Sequence, residues 1–214
     1  MIRSARHQDA GQAFPIYITV VAGLLFLAFA YFAVGQAAVN RNGAQTAADA
    51  AALAAAQETR DQLADLWTLA VLDPTKWQDI FDGVGATDNP CWRAYELAAQ
   101  NDASVDACEP DGLNFSVAVQ TNKSAGDSVI PITSTTRAHA SATAVIESLC
   151  TFELPDPAPT PDPTPTPDPT PDPDAEDDVL PSLTCKDGGI WDLDPADLDD
   201  LPGPEDLFSV HLAD

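Results

Sequence analysis

Cationic residues are scarce in this sequence. Nine Lys and Arg stand against 34 Asp and Glu. Beyond Asn40 only Arg41, Arg60, Lys76, Arg93, Lys123, Arg137 and Lys186 face 33 carboxylates. Such a surface repels phosphate backbones, which excludes nucleic-acid binding as a function class. Catalytic signatures are lacking as well: there is no GxSxG, no HExxH and no phosphate-cradling glycine loop. No enzymatic activity, cofactor or small-molecule substrate is therefore expected. The three histidines, His7, His139 and His211, are scattered and no CxxC pair occurs, so nothing has the spacing of a zinc site. His139, between alanines, reads as a half-exposed structural residue. Charge of either sign is absent from Ala10 to Asn40.

That uncharged run organises the chain. Its heart, Phe14 to Val34, reads FPIYITVVAGLLFLAFAYFAV, long enough at ~1.5 Å per residue to span a ~30 Å hydrocarbon layer. Arg3 and Arg6 precede it and only Arg41 follows closely, which places the N-terminus in the cytoplasm and the rest outside. A cleaved secretory signal is the rival reading, with Ala28-Phe29-Ala30 imitating a cleavage site. The run exceeds the ~7–15 residues of an ordinary signal core, which favours a retained anchor. Thr19, Gly23 and Ala30 offer small surfaces to another membrane helix.

Behind the span, nine of the thirteen residues from Ala44 to Ala56 are alanine, with no proline until Pro74. This predicts one long helix to about Leu72, with a soft point at Asn42-Gly43. Small methyl groups permit close approach of another subunit's helix, whereas Leu63, Leu66, Trp67, Ala70 and Val71 form a stripe that packs on the chain's own head. Asp73-Pro74 and Asn89-Pro90 each start a short helix, the second running to about Gln100. Glu109-Pro110-Asp111-Gly112 is a turn signal. After it, Leu113, Phe115, Val117, Val119 and Thr121 alternate as a half-buried strand. A second extended region, Val129 to Ile146, carries Ala138, Ala140, Ala142 and Ala144 on one small-residue face, with Pro131 confining its first part to an edge or bend. Two or three antiparallel strands on the long helix are expected.

Four cysteines, Cys91, Cys108, Cys150 and Cys185, lie on the outer side, where disulfides persist. Three pairings are possible, and local closure favours Cys91 with Cys108 and Cys150 with Cys185. Residues 155–174 repeat proline with Thr and Asp, a polyproline spacer that at ~3.1 Å per residue reaches ~60 Å. It reads as a stalk or an inert linker, or as a tethered loop if Cys185 pairs back to Cys150. The acidic tail reads as disordered with short docking segments. Asp192, Asp194, Asp197, Asp199 and Asp200 crowd together in the manner of calcium ligands, but an EF-hand register counted from Asp192 puts Asp197 where glycine is needed and Gly203 where Glu is needed.

The fold class is α+β: a single-pass membrane protein with a long N-terminal helix, a small head of short helices and antiparallel strands, and a disordered Pro/Asp-rich tail. The divisions are 1–12 cytoplasmic, 13–39 transmembrane, 40–72 helix continuation, 73–152 head, 153–178 proline-rich linker and 179–214 acidic tail.

The stretch Asp9-Ala10-Gly11-Gln12-Ala13, the membrane helix, and above all the run from Arg41 to Ala56, RNGAQTAADAAALAAA, resemble the N-terminal domain of TadE/TadG-like proteins of the Flp/Tad pilus apparatus. The motif positions are Gly11, Arg41, Gln45, Ala47, Ala48, Asp49, Ala51, Leu53 and Ala55. The resemblance implies a pilin-like protein with a helix half in the membrane and half supporting a small extracellular head, whose partners are the membrane and other pilus-assembly proteins. Related prepilins are cut after a glycine, with Glu at the fifth mature position. Counting from Gly11, that position here is Ile16, which points to an uncleaved anchor or minor component. The alternative function is a membrane-tethered extracellular module that binds a surface ligand or cation.

Overall fold

The computed structural model describes residues 13–124, 137–154, 180–186 and 188–213. The expectations for the segment 1–12, Pro131 and nearly all of the proline-rich linker lie outside these residues. Helix α1 runs without a break from Ala13 to Leu69, 57 residues, or ~85 Å at ~1.5 Å per residue. Asn42-Gly43 does not interrupt it. In a helix rich in alanine one glycine costs only about 1 kcal/mol, which the packing on either side of it absorbs.

A four-stranded antiparallel sheet lies on the second half of α1, in the order β1 (Ala103–Asp111), β2 (Asn114–Ser124), β3 (Arg137–Ser148), β7 (Phe208–Leu212). Strands β1 and β2 form a hairpin closed around Gly112, whose φ of 58° suits glycine. The expected turn at Glu109 to Gly112 is therefore only half right, because Glu109, Pro110 and Asp111 are still paired in β1. Strand β1 carries no clean alternation, since a bulge between Val105 and Ala107 shifts its register. The alternation of β2 and β3 does become an inner and an outer face. Phe115, Val117 and Val119 pair with Ala144, Ala142 and Ala140 on the inner face. Ser116 and Thr143 share a 2.9 Å hydrogen bond on the outer one.

The core is graded along α1. Near the span it consists of alanines, those of α1 against Ala140, Ala142 and Ala144 of β3, so the two backbones approach closely. Toward Leu69 it fills with large rings. Trp67 lies 5.4 Å from Trp77 and Trp77 lies 5.2 Å from Phe152. Phe81 bridges Phe152 and Phe208 at 5.9 and 5.6 Å. Trp77 belongs to α2 (Trp77–Phe81), which follows a single 3-10 turn over Pro74–Lys76, and its indole N–H donates to the Ala70 carbonyl at 3.0 Å. The Asp73 side chain does not cap this turn. Its carboxylate instead takes the Thr75 hydroxyl and the Lys76 ammonium, which hold it below the usual carboxylate range. The chain leaves α2 through Gly83, φ 86°, where a Cβ would stand 2.7 Å from a Leu113 methyl. Helix α3 (Cys91–Gln100) then packs on α1 and β1, burying Cys91, Ala94 and Ala98.

The acidic tail departs from the expectation of disorder. Residues from Leu183 onward form β5 (Leu183–Cys185), β6 (Ile190–Trp191), the single turn α4 (Pro204–Leu207) and β7. With β4 (Cys150–Phe152), β5 and β6 make a second, three-stranded sheet. The physical reason is that the tail's spaced apolar residues complete the core: Leu180, Leu183, Leu193, Leu207 and Phe208 are each at most 8% exposed. The head thus draws on α1 before residue 73 and on the tail after residue 152.

The alanine contact yields a first prediction. Ala144→Leu, at a site 0% exposed, forces the strand away from α1 and lowers stability by about 1–3 kcal/mol. Chemical denaturation of the detergent-solubilised protein measures this, and an unchanged midpoint refutes the close packing.

Candidate functional site

The candidate site is the stretch of α1 that passes from bare helix into the head. Phe14 to Val39 presents its side chains to the outside, with Phe14, Phe26, Tyr31 and Val39 each 70% exposed or more. Among the described residues this is the one helix long and apolar enough to cross a membrane, with an 18-residue window of mean hydropathy 2.3 and none of that window buried. Burial begins at Ala44, and Arg41, Asn42 and Gly43 between them are exposed. The change from lipid-compatible to head-covered helix therefore takes about one turn.

The motif residues divide by face. Ala47, Ala48, Ala51 and Ala55 are 0% exposed. Together with Ala44, Ala52, Ala54 and Ala56 they cover an arc of roughly 200° at ~100° per residue. Gln45 lies at the edge of this arc and is exposed, while Asp49 and Leu53 lie just beyond it and are half-buried. The Gln45 amide donates to the Asp49 carboxylate at 2.7 Å, one helical turn on, and reaches the Ser141 carbonyl of β3 at 3.5 Å. Arg41 is exposed one turn earlier. Gly11 lies outside the described residues. The motif is thus one helical register with two jobs: methyls that admit the sheet, and an amide–carboxylate pair at its border.

This arrangement corrects the reading that the alanine stretch is open to another subunit's helix. A helix does pack beside α1, but it is the chain's own α3, and the sheet takes the rest of the buried arc. Alternation in β3 was the available signal, since its alanine face matches that of α1 in size. What sequence reasoning missed is β7, whose five residues in an acidic tail are too few to show a period.

Two disulfides secure the head. Cys91 at the start of α3 joins Cys108 of β1, and Cys150 of β4 joins Cys185 of β5, its partner across the strand pair. Because Phe152 and Leu183 are also paired, the proline-rich stretch leaves and re-enters the head at neighbouring strands. A stalk that carries the tail away from the head is thereby excluded, and the tethered loop stands. The crowded tail carboxylates also find local uses, Asp194 accepting from the Ala196 amide at 2.8 Å and Asp197 from that of Asp199 at 3.3 Å.

Residues 11–58 match the family model described as Flp pilus-assembly TadE/G-like. The matched segment is the span, the junction and the alanine register, and the head beyond it lies outside the match. No curated protein and no solved structure matches the chain.

Replacing Cys150 and Cys185 together with serine removes a constraint on 35 residues of chain, expected to lower stability by ~3–4 kcal/mol. Hydrogen exchange should quicken in β4, β5 and β7 before it does in β1 and β2. Uniform quickening, or none, refutes the assignment of this bridge to the tail.

Proposed function

Proceeding from the TadE/G-like match over residues 11–58, we propose that this chain is a membrane-anchored structural or assembly component, minor-pilin-like, of a Flp/Tad-type pilus or secretion apparatus. The observation that carries the reading is the continuity of α1: a bare apolar half and a head-covered half form one uninterrupted rod. Such a rod transmits the position of the head to the span and the reverse, which a flexible hinge does not. In this reading the N-terminus lies in the cytoplasm behind Arg3 and Arg6, and the disulfide-bearing head lies outside. The protein works without catalysis, by packing.

The packing surface moves relative to the sequence expectation. With the alanine register occupied by the chain's own sheet and α3, contact with other membrane subunits falls to the span. There Thr19, Gly23 and Ala30 share one face at ~100° per residue, and a Cβ on Gly23 meets nothing within 4 Å. Close helix approach in lipid depends on small residues of this kind.

Photoreactive residues placed at Gly23 and at Ala51 distinguish the two surfaces. Crosslinks to other membrane proteins of the native envelope are expected from position 23, and only intramolecular adducts from position 51. Intermolecular adducts from Ala51 alone overturn the proposal. Separately, Leu24→Arg costs about 2.5–3.5 kcal/mol of membrane insertion and should abolish recovery of the protein with membranes. Retention at the unmodified level shows that the span is not the anchor.

A further inference from the structure

The charges of the head are unevenly arranged. Seven cations lie beyond Asn40. Five sit in ion pairs: Arg60 with Asp61, Lys76 with Asp73, Arg93 with Glu96, Lys123 with Asp102, and Lys186 with Glu147. The other two are Arg41 and Arg137, and among the described residues no carboxylate lies within ion-pair distance of either. In a chain of net charge −25, two such cations invite a reason, and both occupy the end of the head from which the apolar helix emerges.

That placement follows from the register. Gln45 touches the Ser141 carbonyl, while Ser148, farther along β3, pairs with Phe208 of the aromatic cluster at the far end of α1. Strand β3 therefore runs along α1 away from the span. Its first residue, Arg137, lies four residues or ~13 Å before Ser141 at ~3.3 Å per residue, about nine residues of α1 before Gln45 at ~1.5 Å each, and so beside the last turns of the bare helix, about residues 36 to 40. Across the strand pair Arg137 faces Ser124, and its guanidinium donates to Gln120 at 3.1 Å. Lys123, next to Ser124, bonds Asp102 at 2.7 Å, with both side chains more than 70% exposed. Asp102 closes the turn after α3 and its carbonyl accepts from the Asn122 amide at 2.8 Å. The rim around the emerging helix thus holds Arg41, Lys123 and Arg137 against Asp102, with Asp106 one step farther from the junction, 3.3 Å from His139, whose ring shares Gln120 with Arg137. Asp127, in the connection between β2 and β3, lies outside the described residues.

We infer that this rim is a docking surface for anionic phospholipid headgroups, on which the head rests where α1 enters the bilayer. The inference rests on the proposed anchoring by the span. A guanidinium offers several N–H donors to phosphodiester oxygens, and attraction to an anionic leaflet is confined to about a Debye length, ~8–10 Å at ordinary salt. Among the described residues of the head, the rim lies that close to the junction. Among the described residues, the carboxylates at the far end of the head, Asp73 and Asp79 among them, are held away from the leaflet by the same geometry, so the polarised charge sets the head upright on its anchor.

Hydrogen exchange on the full-length protein in nanodiscs tests this. Discs of phosphatidylcholine alone are compared with discs that also contain phosphatidylglycerol, at low and high salt. Co-purification with both kinds of disc checks the anchor independently, so its failure and that of the rim are separable. Amides of Asn122 to Ser124 and of Arg137 and Ala138 are expected to exchange about fivefold more slowly in anionic discs at low salt. High salt or the double variant Arg41→Gln, Arg137→Gln should erase the difference, and Leu69 to Gly85 should not respond. Equal rates in the two lipids, or a difference that survives the double variant in a protein of unchanged melting temperature, overturn the inference. Soluble glycerol phosphate producing the same protection in phosphatidylcholine discs overturns it too, in favour of a free anion site.

Discussion

The contact on which the rest of this structure depends is alanine against alanine: the buried arc of α1 from Ala44 to Ala56 against Ala140, Ala142 and Ala144 of β3. Methyl groups bury little area each, so the contact is not a large source of hydrophobic stabilisation per residue. Its effect is geometric. Close approach lets β2 place Phe115, Val117 and Val119 over the helix and leaves room for α3 on the other flank. Stability is concentrated elsewhere, in the ring cluster of Trp67, Trp77, Phe81, Phe152 and Phe208 at the far end and in the two disulfides. A small head thus divides its labour, with precision near the bare apolar half of α1 and bulk away from it.

Because the bare apolar stretch and the core stretch of α1 are one unbroken helix, the head cannot turn independently of that apolar stretch. The same helix that carries apolar side chains into the surroundings at Val39 is covered by protein at Ala44. This coupling gives the TadE/G-like segment a physical meaning in this chain. It is the part in which a bare helix becomes a core helix, and its alanines, its Gln45–Asp49 pair and its exposed Arg41 each serve that change.

Several elements could be read from residues alone because they announce themselves by period or by punctuation. The span shows as an unbroken uncharged run, β2 as strict alternation, and α3 as a helix opening after Asn89-Pro90. Others could not. Strand β1 hides its alternation behind a bulge and keeps Pro110 at its end. Strand β7 is five residues in an acidic context, and its place depends on an open edge of β3 that no local pattern reveals. For the alanine register, composition established that something would approach closely and could not say what. A partner helix, the chain's own helix and a sheet all accept the same methyl face.

The sequence by itself determined the α1 rod, the apolar length available for a membrane, the scarcity of positive charge and the four cysteines, since these are properties of local composition and spacing. Tertiary structure alone decided which surface covers the alanines, that the acidic tail returns as a strand, that the proline-rich stretch is tied at both ends, and that Arg137 lies at the same end of the head as Arg41. Each of these depends on residues separated by tens to more than a hundred positions. Their meeting is fixed by the burial of scattered leucines and phenylalanines in a shared core, which has no signature in any single window of the chain.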